Sequence, residues 1–276
     1  MENFRAGIVQ MDSQDSVEKN MRAAREAAAY AAAEGVSFLL FPETVEYIGA
    51  SMGNCAERIP GYVTRTFAGL ARKYGMYLHC GSITEAGQNG RAYNTSLVFA
   101  PDGQIMAKYR KIHLFDVAME HGPSYQESSR IAPGTELVTV QTPFACLGLS
   151  ICYDLRFPEL YRLQVLGGAE ILCVASNFTK TTGEKHWETL LRARAIENTC
   201  YVLAAGQCGQ KKAFEAFGHS MAIDPYGEIL AQAGTEPQIL IVDLDTQRLE
   251  QARRELPCLD GRRTEIYHLS GQLRCC

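Results

Sequence analysis

An alternation of strand-like and helix-like segments, repeated twice along the chain, most limits the possible folds. The first half predicts strand 4–10, helix 16–34, strand 36–41, helix 61–74, strand 76–82 and hairpin 93–109. The second half predicts strand 146–151, helix 158–167, strand 169–175, helix 186–198, strand 200–206, hairpin 217–231 and then strand 238–243. Strands that alternate with helices favour a sheet with helices packed against it. We therefore expect each half to form a sheet that carries helices on one face.

Two such halves can bury their bare sheet faces against each other. The sequence therefore predicts an α/β protein that folds as a four-layer α-β-β-α sandwich. Asp102-Gly103 and Asp224-Pro225-Tyr226-Gly227 are typical turn sequences and fall where the two hairpins reverse direction. Because no linker or low-complexity tract interrupts this pattern, we expect residues 1–276 to form a single domain.

Cys152 is the first candidate for chemistry. It follows the predicted buried strand 146–151 directly and precedes a helical segment that begins at Pro158. A thiol at such a turn lies near helix N–H groups, whose partial positive charges favour the reactive thiolate. A buried cysteine is more often a small apolar residue, so position alone does not identify a nucleophile.

Two charged residues also follow predicted strands. Glu43 ends the segment Phe41-Pro42-Glu43, and Lys111 lies in the basic stretch that leaves the first hairpin. Each alone would be interpreted as a solvated charge. Together with Cys152, they supply the base, cation and nucleophile that attack on an amide carbonyl requires. Lys111 and the backbone N–H of Tyr153 are candidate donors to the oxyanion. Glu43 would then pass the thiol proton to departing ammonia and leave a thioester for water.

Three motifs carry a resemblance to a known family: Phe41-Pro42-Glu43, Tyr109-Arg110-Lys111-Ile112-His113-Leu114 and Cys152-Tyr153-Asp154-Leu155-Arg156-Phe157-Pro158-Glu159. In this order the chain resembles the carbon–nitrogen hydrolases of the nitrilase superfamily from about Phe4 to Tyr267. The resemblance implies the same four-layer fold, with Glu43 as general base, Lys111 as oxyanion stabiliser and Cys152 as nucleophile. It also implies that Glu127 helps to orient substrate and water.

The segment His186-Trp187-Glu188 and the run 191–198 resemble amidases that act on small carboxylated amides. Two branches fit: deaminated-glutathione amidases, and omega-amidases acting on 2-oxoglutaramate-type substrates. The run 200–209 is more similar to the first branch. Ser176-Asn177-Phe178 differs from the sequence that is usual in both branches. Because this segment lies close to the substrate in the family, the difference leaves the exact substrate open. The candidate substrate-binding residues are Tyr153, Asn177, His186 and Arg156.

Three other functions remain as alternatives. Gly218-His219-Ser220-Met221-Ala222 is close to the G-x-S-x-G elbow of serine hydrolases, but a strand is predicted after Ser220 where the elbow needs a helix. A thioester acyltransferase would differ only in the acceptor that replaces water. A non-catalytic binding protein of the same fold would not require the base, cation and thiol that this chain retains.

Composition narrows the expected partners. Lys and Arg total 27 and Asp and Glu total 31, for a net charge of −4 without blocks of like charge. Neither nucleic acid nor a membrane surface is therefore an expected partner. The sequence has no C-x-x-C pair and no H-E-x-x-H motif, so we expect no metal and no cofactor.

Most of the ten cysteines lie in apolar strand-like runs, and residues 4–10 are interpreted as a first strand rather than a secretory leader. We therefore expect reduced thiols and a cytoplasmic location. The family resemblance implies at least a homodimer, formed through helices near the nucleophile and through a C-terminal tail from about residue 245.

Overall fold

The structure, a computed structural model, describes residues 1–49, 55–87, 90–118 and 124–276. Every residue that the sequence singles out for catalysis or substrate binding lies within these ranges. The helices are α1 (Val17–Ala33), α2 (Tyr62–Tyr74), α3 (Pro158–Leu166), α4 (Lys180–Asn198) and α5 (Thr246–Glu255). The strands are β1 (Phe4–Gln10), β2 (Phe38–Leu40), β3 (Tyr77–His79), β4 (Ile83–Glu85), β5 (Tyr93–Phe99), β6 (Ile105–Arg110), β7 (Asp116–Ala118), β8 (Ser124–Gln126), β9 (Leu137–Gln141), β10 (Cys146–Ile151), β11 (Ile171–Ser176), β12 (Tyr201–Gly206), β13 (Cys208–Gln210), β14 (Glu215–Phe217), β15 (Met221–Ile223), β16 (Ile229–Gln232), β17 (Gln238–Leu244) and β18 (Leu273–Cys275).

Within the described ranges, two seven-stranded sheets form the centre of the protein. The first has the order β17-β1-β2-β3-β5-β4, with β6 paired to β5, and the second has the order β16-β15-β12-β11-β10-β9-β18. Strands β1, β2 and β3 are parallel, as are β10, β11 and β12. Each half of the chain therefore contributes three parallel strands that are connected by helices. Strand β17 joins the first sheet beside β1 and so ties the end of the second half to the first.

Alternate side chains of the central strands face two different apolar clusters. In β2, Phe38 and Leu40 share a cluster with Leu149 of the second sheet. Leu39, between them, packs instead in the cluster that contains Phe67 of α2. Helices α3 and α4 contact the second sheet. These contacts confirm the predicted four-layer α-β-β-α sandwich, and burial on both faces explains why the central strands are almost wholly apolar.

Local signals place several helix ends where the sequence predicts them. Ser16 precedes α1, and its side chain accepts a hydrogen bond from the backbone N–H of Lys19 at 3.4 Å. Gly35 follows α1 with a φ of 72°, a left-handed conformation that favours glycine. Pro158 is the first residue of α3, where its missing N–H costs no hydrogen bond. Within the described ranges, no helix combines the length and apolar character needed to cross a membrane.

The prediction for the fourth helix was wrong at its start. Helix α4 begins at Lys180 rather than at residue 186, so His186 lies within the helix and is not a capping residue. The sequence Thr181-Thr182-Gly183 disfavours a helix by propensity, but Gly183 packs so closely against the ring of Phe217 that a Cβ atom would clash with it. Tertiary packing therefore overrides local propensity here.

The predicted hairpin 217–231 and strand 76–82 were also placed incorrectly. The hairpin is formed by β15 and β16, whereas Phe217 belongs to β14, which pairs with β13. Residues 76–82 divide between β3 and a bend that leads to β4. Strands β9 and β18 and helix α5 lie in segments for which the sequence predicted no element.

Gly81, in the bend between β3 and β4, has a φ of 71°, and a Cβ atom there would clash with the backbone oxygen of Pro42, next to Glu43. We predict that Gly81→Ala lowers the free energy of unfolding by about 3 kcal/mol, through left-handed strain and overpacking. Gly35→Ala is the matched control, because Gly35 has a similar φ of 72° but open space around it. It should cost only about 1–2 kcal/mol. Urea denaturation measures both, and equal losses would contradict the proposed clash.

Candidate active site

A cleft of about 770 Å³ is lined by residues that follow strands of both sheets. Cys152 directly follows β10, Lys111 directly follows β6, and Glu43 lies just beyond β2. All three line the cleft, and Glu127 lines it with them. The structure therefore brings together the four residues that the sequence analysis proposed for catalysis. Strand ends of this kind are the usual ligand sites of α/β folds.

A buried ammonium group lies between two carboxylates in this cleft. Lys111 Nζ donates hydrogen bonds to Glu43 Oε1 at 3.0 Å and to Glu127 Oε2 at 2.9 Å. Lys111 is 2% exposed and Glu43 is 5% exposed. Burial by itself lowers the pKa of Lys111, but the carboxylates of Glu127 and Glu43 outweigh it and raise the pKa well above its usual value. Lys111 is therefore a fixed cation.

Asn94 of β5 holds the same two carboxylates from a second direction. Its Nδ2 atom donates to Glu43 Oε1 at 2.8 Å and lies 3.4 Å from Glu127 Oε1. Its backbone oxygen accepts the N–H of Lys111 at 2.9 Å. The backbone N–H of Phe115 adds a bond to Glu127 Oε2 at 2.7 Å. The Asn94 amide and the Phe115 N–H are thus neutral donors that supplement Lys111, the single cation between the carboxylates of Glu43 and Glu127.

Cys152 begins a short 3-10 turn that runs to Arg156, with a φ of 49° that is unusual for a residue other than glycine. Burial, followed by the negative charge of Glu43, raises the pKa of its thiol well above the usual value. Lys111 and the backbone N–H of Asn177 act in the opposite direction but are weaker. The nearby N–H groups predicted from the sequence therefore do not outweigh burial and Glu43. The thiol is protonated beside a carboxylate that can take its proton.

Asp154, which is fully buried, joins the Lys111 segment to the Cys152 turn. Its carboxylate accepts hydrogen bonds from Tyr109 Oη at 2.6 Å and from the backbone N–H groups of Ile151 at 2.8 Å and His113 at 3.1 Å. The Nδ1 atom of His113 lies 2.8 Å from the same carboxylate. One side chain thus fixes the distance between the cation-bearing strand end and the nucleophile.

Gln207 supports the backbone of Glu43 from the second sheet. Its Nε2 atom donates to the carbonyl oxygen of Glu43 at 2.9 Å, and its Oε1 atom accepts the N–H of Ser13 at 2.9 Å. Sequence reasoning missed Gln207, Asn94 and the role of Asp154. Each is a polar residue in or beside an apolar strand, and such residues usually have a buried partner. That signal marks them as important but does not identify the partner.

Of the four predicted substrate-binding residues, two line the cleft and two contact one of those lining residues. Arg156 and Asn177 line the cleft. Tyr153 and His186 are not among its lining residues and instead contact Arg156: the guanidinium carbon lies 5.1 Å from the Tyr153 ring centre, and Arg156 Nη2 lies 3.4 Å from His186 Nδ1. Arg156 also lies over the ring of Phe178 at 4.8 Å. These contacts hold one guanidinium group at the cleft wall.

Ser220, the alternative nucleophile, is fully buried. Its hydroxyl oxygen accepts the backbone N–H of Gly206 at 2.8 Å. Strand β15 follows it directly, as predicted, so the strand-to-helix elbow of a serine hydrolase is not formed there. In the described ranges, no group of three or more His, Cys, Asp or Glu side chains is arranged to hold a metal ion.

Comparison with known sequences identifies similar proteins along nearly the whole chain. The family model described as Carbon-nitrogen hydrolase matches residues 5–254. The chain is 38% identical over 275 residues to "Omega-amidase NIT2" of Mus musculus, covering 99% of both chains. It is 39% identical over 269 residues to "Deaminated glutathione amidase" of Synechocystis sp., covering 95% of this chain and 99% of that protein.

Comparison with solved structures also finds similar proteins along nearly the whole chain. The Caenorhabditis elegans NitFhit protein matches with a TM-score of 0.92 and 35% identity, covering 98% of this chain and 67% of that chain. Saccharomyces cerevisiae Nit3, described as a member of branch 10 of the nitrilase superfamily, matches with a TM-score of 0.85 and 29% identity. The match covers 95% of this chain and 97% of that chain.

The raised pKa of Cys152 predicts a neutral thiol in the resting protein. At neutral pH, the ultraviolet absorbance of a thiolate should not decrease when Cys152 is replaced by alanine. Cys173→Ala is a matched control, since Cys173 is also fully buried and burial raises the pKa of its thiol. A thiolate band at neutral pH that disappears only in Cys152→Ala would show that Lys111 outweighs burial and Glu43.

Proposed function

Because the chain belongs to the carbon–nitrogen hydrolase family, we propose that it hydrolyses a small carboxylated amide through a thioester on Cys152. The chain is an amidase, a hydrolase of carbon–nitrogen bonds other than peptide bonds. The observation that carries the proposal is the convergence of the Glu43 carboxylate, Lys111 ammonium and Cys152 thiol in one cleft. Deaminated glutathione is the leading substrate and 2-oxoglutaramate is the alternative.

In the first half-reaction, Glu43 accepts the thiol proton while Cys152 Sγ forms a bond to the amide carbon. The carbonyl oxygen becomes an oxyanion that Lys111 Nζ and the backbone N–H of Tyr153 stabilise. When the intermediate collapses, the carbon–nitrogen bond breaks and the leaving nitrogen takes the proton from Glu43. A primary amide releases ammonia, whereas a secondary amide such as deaminated glutathione releases an amine.

In the second half-reaction, Glu43 is again a carboxylate and takes a proton from the water that attacks the thioester carbon. The carbon–sulfur bond then breaks, and the sulfur recovers its proton from Glu43. The acid product leaves, and the thiol returns to its neutral resting form. The raised pKa of the Cys152 thiol suits this step, because a protonated sulfur is the stable end state.

Glu127 and Asn94 are proposed to position the reacting groups. Both oxygens of Glu127 lie within hydrogen-bond distance of Lys111 Nζ, at 2.9 and 3.2 Å, so one N–H can serve both of them. A second N–H bonds to Glu43, and the third remains for the substrate. Asn94 donates to Glu43 at 2.8 Å and so fixes the base. Glu127 also lines the cleft, where it can help to orient substrate and water.

Arg156 is proposed to bind the carboxylate of the acyl group, which lies beside the oxo group at the end of the acyl chain opposite the scissile amide. Guanidinium matches carboxylate geometry, and the contacts with Tyr153 and His186 hold it in place. Asn177 is proposed to bind a substrate N–H, because its Oδ1 atom is buried without a hydrogen-bond partner in the described part of the chain. Tyr153 and His186 thus contribute to substrate binding through Arg156.

We further propose one domain over residues 1–276 and a cytoplasmic homodimer or higher homo-oligomer. Strands β17 and β18 from the end of the chain pair with β1 and β9, which supports a single folding unit. The tail beyond residue 245 exposes the large apolar side chains of Leu256, Ile266 and Tyr267. A subunit contact that covers them would remove apolar surface from water.

The substrate assay uses 2-oxoglutarate, the acid product common to both candidate substrates. We predict its release from deaminated glutathione, with a loss of several orders of magnitude in Cys152→Ala. Cys258→Ala is the matched control, since Cys258 is exposed and lies outside the cleft. Faster release from 2-oxoglutaramate would favour the omega-amidase alternative. Hydrolysis of neither substrate would contradict both assignments, and an added amine acceptor would reveal acyl transfer.

The roles of the two charged residues predict different kinetic losses. Lys111→Met should lower kcat by roughly 10²–10³-fold, the usual effect of removing one oxyanion donor. Glu43→Gln should abolish most turnover, because the amide cannot accept the thiol proton, while circular dichroism stays unchanged. Normal turnover in Glu43→Gln would contradict the assignment of the base.

A further inference from the structure

Thr44, the residue after Glu43, has a backbone conformation that is unfavourable for its side chain. Its φ is 52°, in the left-handed region, where a β-branched residue is an outlier. Within the described ranges, four residues other than glycine have a positive φ: Thr44, Cys152, Thr199 and His219. Thr44 and Cys152 line the cleft, whereas Thr199 and His219 do not. Strain of this kind persists only where surrounding contacts impose it, and it is concentrated at functional sites.

The contacts that impose this conformation converge on the peptide group between Glu43 and Thr44. The hydroxyl of Thr44 donates to the carbonyl oxygen of Glu43 at 2.8 Å, and Gln207 Nε2 donates to the same oxygen at 2.9 Å. The backbone N–H of Thr44 donates to Ser82 Oγ at 2.9 Å. Thr44 is 5% exposed, so water cannot readily replace these bonds. The peptide group therefore cannot rotate without breaking buried hydrogen bonds.

We propose that Thr44 is a positioning residue for the base, because its hydroxyl and its left-handed backbone fix the direction in which the Glu43 side chain leaves the main chain. The inference rests on the proposed function, since it concerns Glu43 as the base of that reaction. Lys111 and Asn94 hold the carboxylate end of the same side chain, at 3.0 and 2.8 Å. A side chain held at both ends keeps the geometry that proton transfer requires, and a small displacement slows the reaction.

Thr199 shows what a left-handed threonine looks like away from the reacting groups. It follows α4 with a φ of 45°, is also buried and lies outside the cleft. Its hydroxyl oxygen is buried without a hydrogen-bond partner in the described part of the chain. A threonine in this conformation therefore does not by itself indicate a function. The hydroxyl contact with the backbone of Glu43 and the place in the cleft wall distinguish Thr44.

The test is the rate at which iodoacetamide alkylates Cys152, followed by peptide mass mapping. In this reaction a carbon–sulfur bond forms, iodide leaves and Glu43 takes the thiol proton, so no amide hydrolysis is needed. Thr44→Val keeps the branched shape without the hydroxyl and should slow alkylation about 10-fold, the effect of losing one hydrogen bond. Thr44→Gly relieves the strain but also lacks the hydroxyl, so it should lose as much. Thr44→Ser should keep the wild-type rate. Thr199→Val is the matched control and should also leave the rate unchanged.

A double-mutant cycle decides whether Thr44 acts through the base. In the Glu43→Gln background, Thr44→Val should slow alkylation no further, and in the wild-type background it should lower kcat about 10-fold with KM unchanged. Wild-type alkylation rates in both Thr44→Val and Thr44→Gly, or an added loss in the Glu43→Gln background, would overturn the positioning role.

The Glu43→Gln protein separates this inference from the proposed reaction. If it is alkylated slowly while the Thr44 variants react at the wild-type rate, the base assignment stands and only the positioning role is wrong. If it is alkylated at the wild-type rate, the base assignment is wrong and the positioning role is overturned with it.

Discussion

The burial of the Lys111 ammonium is the constraint on which the rest of the site depends. An unpaired charge with 2% exposure would cost several kcal/mol, so the fold must bring carboxylates to it. Glu43 arrives from the end of β2 and Glu127 from the loop before β9, at 3.0 and 2.9 Å. One cation cannot balance two anions, and Asn94 supplies the additional donor. The arrangement leaves a basic carboxylate and a fixed cation beside a neutral thiol.

Two polar contacts between the layers hold this arrangement in register. Asp154 follows the nucleophile on the second sheet and binds Tyr109 on the first at 2.6 Å. Gln207 follows β12 and binds the backbone of Glu43 at 2.9 Å. Two sheets that packed only through apolar side chains could slide, because hydrophobic contacts have little direction. Buried hydrogen bonds do have direction, so they fix where the reacting groups meet.

Periodic patterns made most of the fold predictable, and strand ends made three catalytic candidates predictable. Contacts between distant segments were not predictable from the sequence. Nothing in the sequence near Asn94 indicates that it binds Glu43, and the motif that contains Asp154 does not reveal what its carboxylate binds. The start of α4 was misplaced because Gly183 is accommodated by packing against Phe217, which local propensity does not report. The raised pKa of the Cys152 thiol was not predictable for a similar reason, because it arises from burial and from Glu43, which is distant in the sequence.

The most direct test of the account is mass spectrometry of the wild-type protein, acid-quenched during turnover of deaminated glutathione or 2-oxoglutaramate. Both substrates share the same acyl group, so the account predicts the same 2-oxoglutaryl adduct with either. Peptide mapping should place it on Cys152. Steady turnover with no adduct at short quench times, or an adduct on a different residue, would contradict a thioester at Cys152.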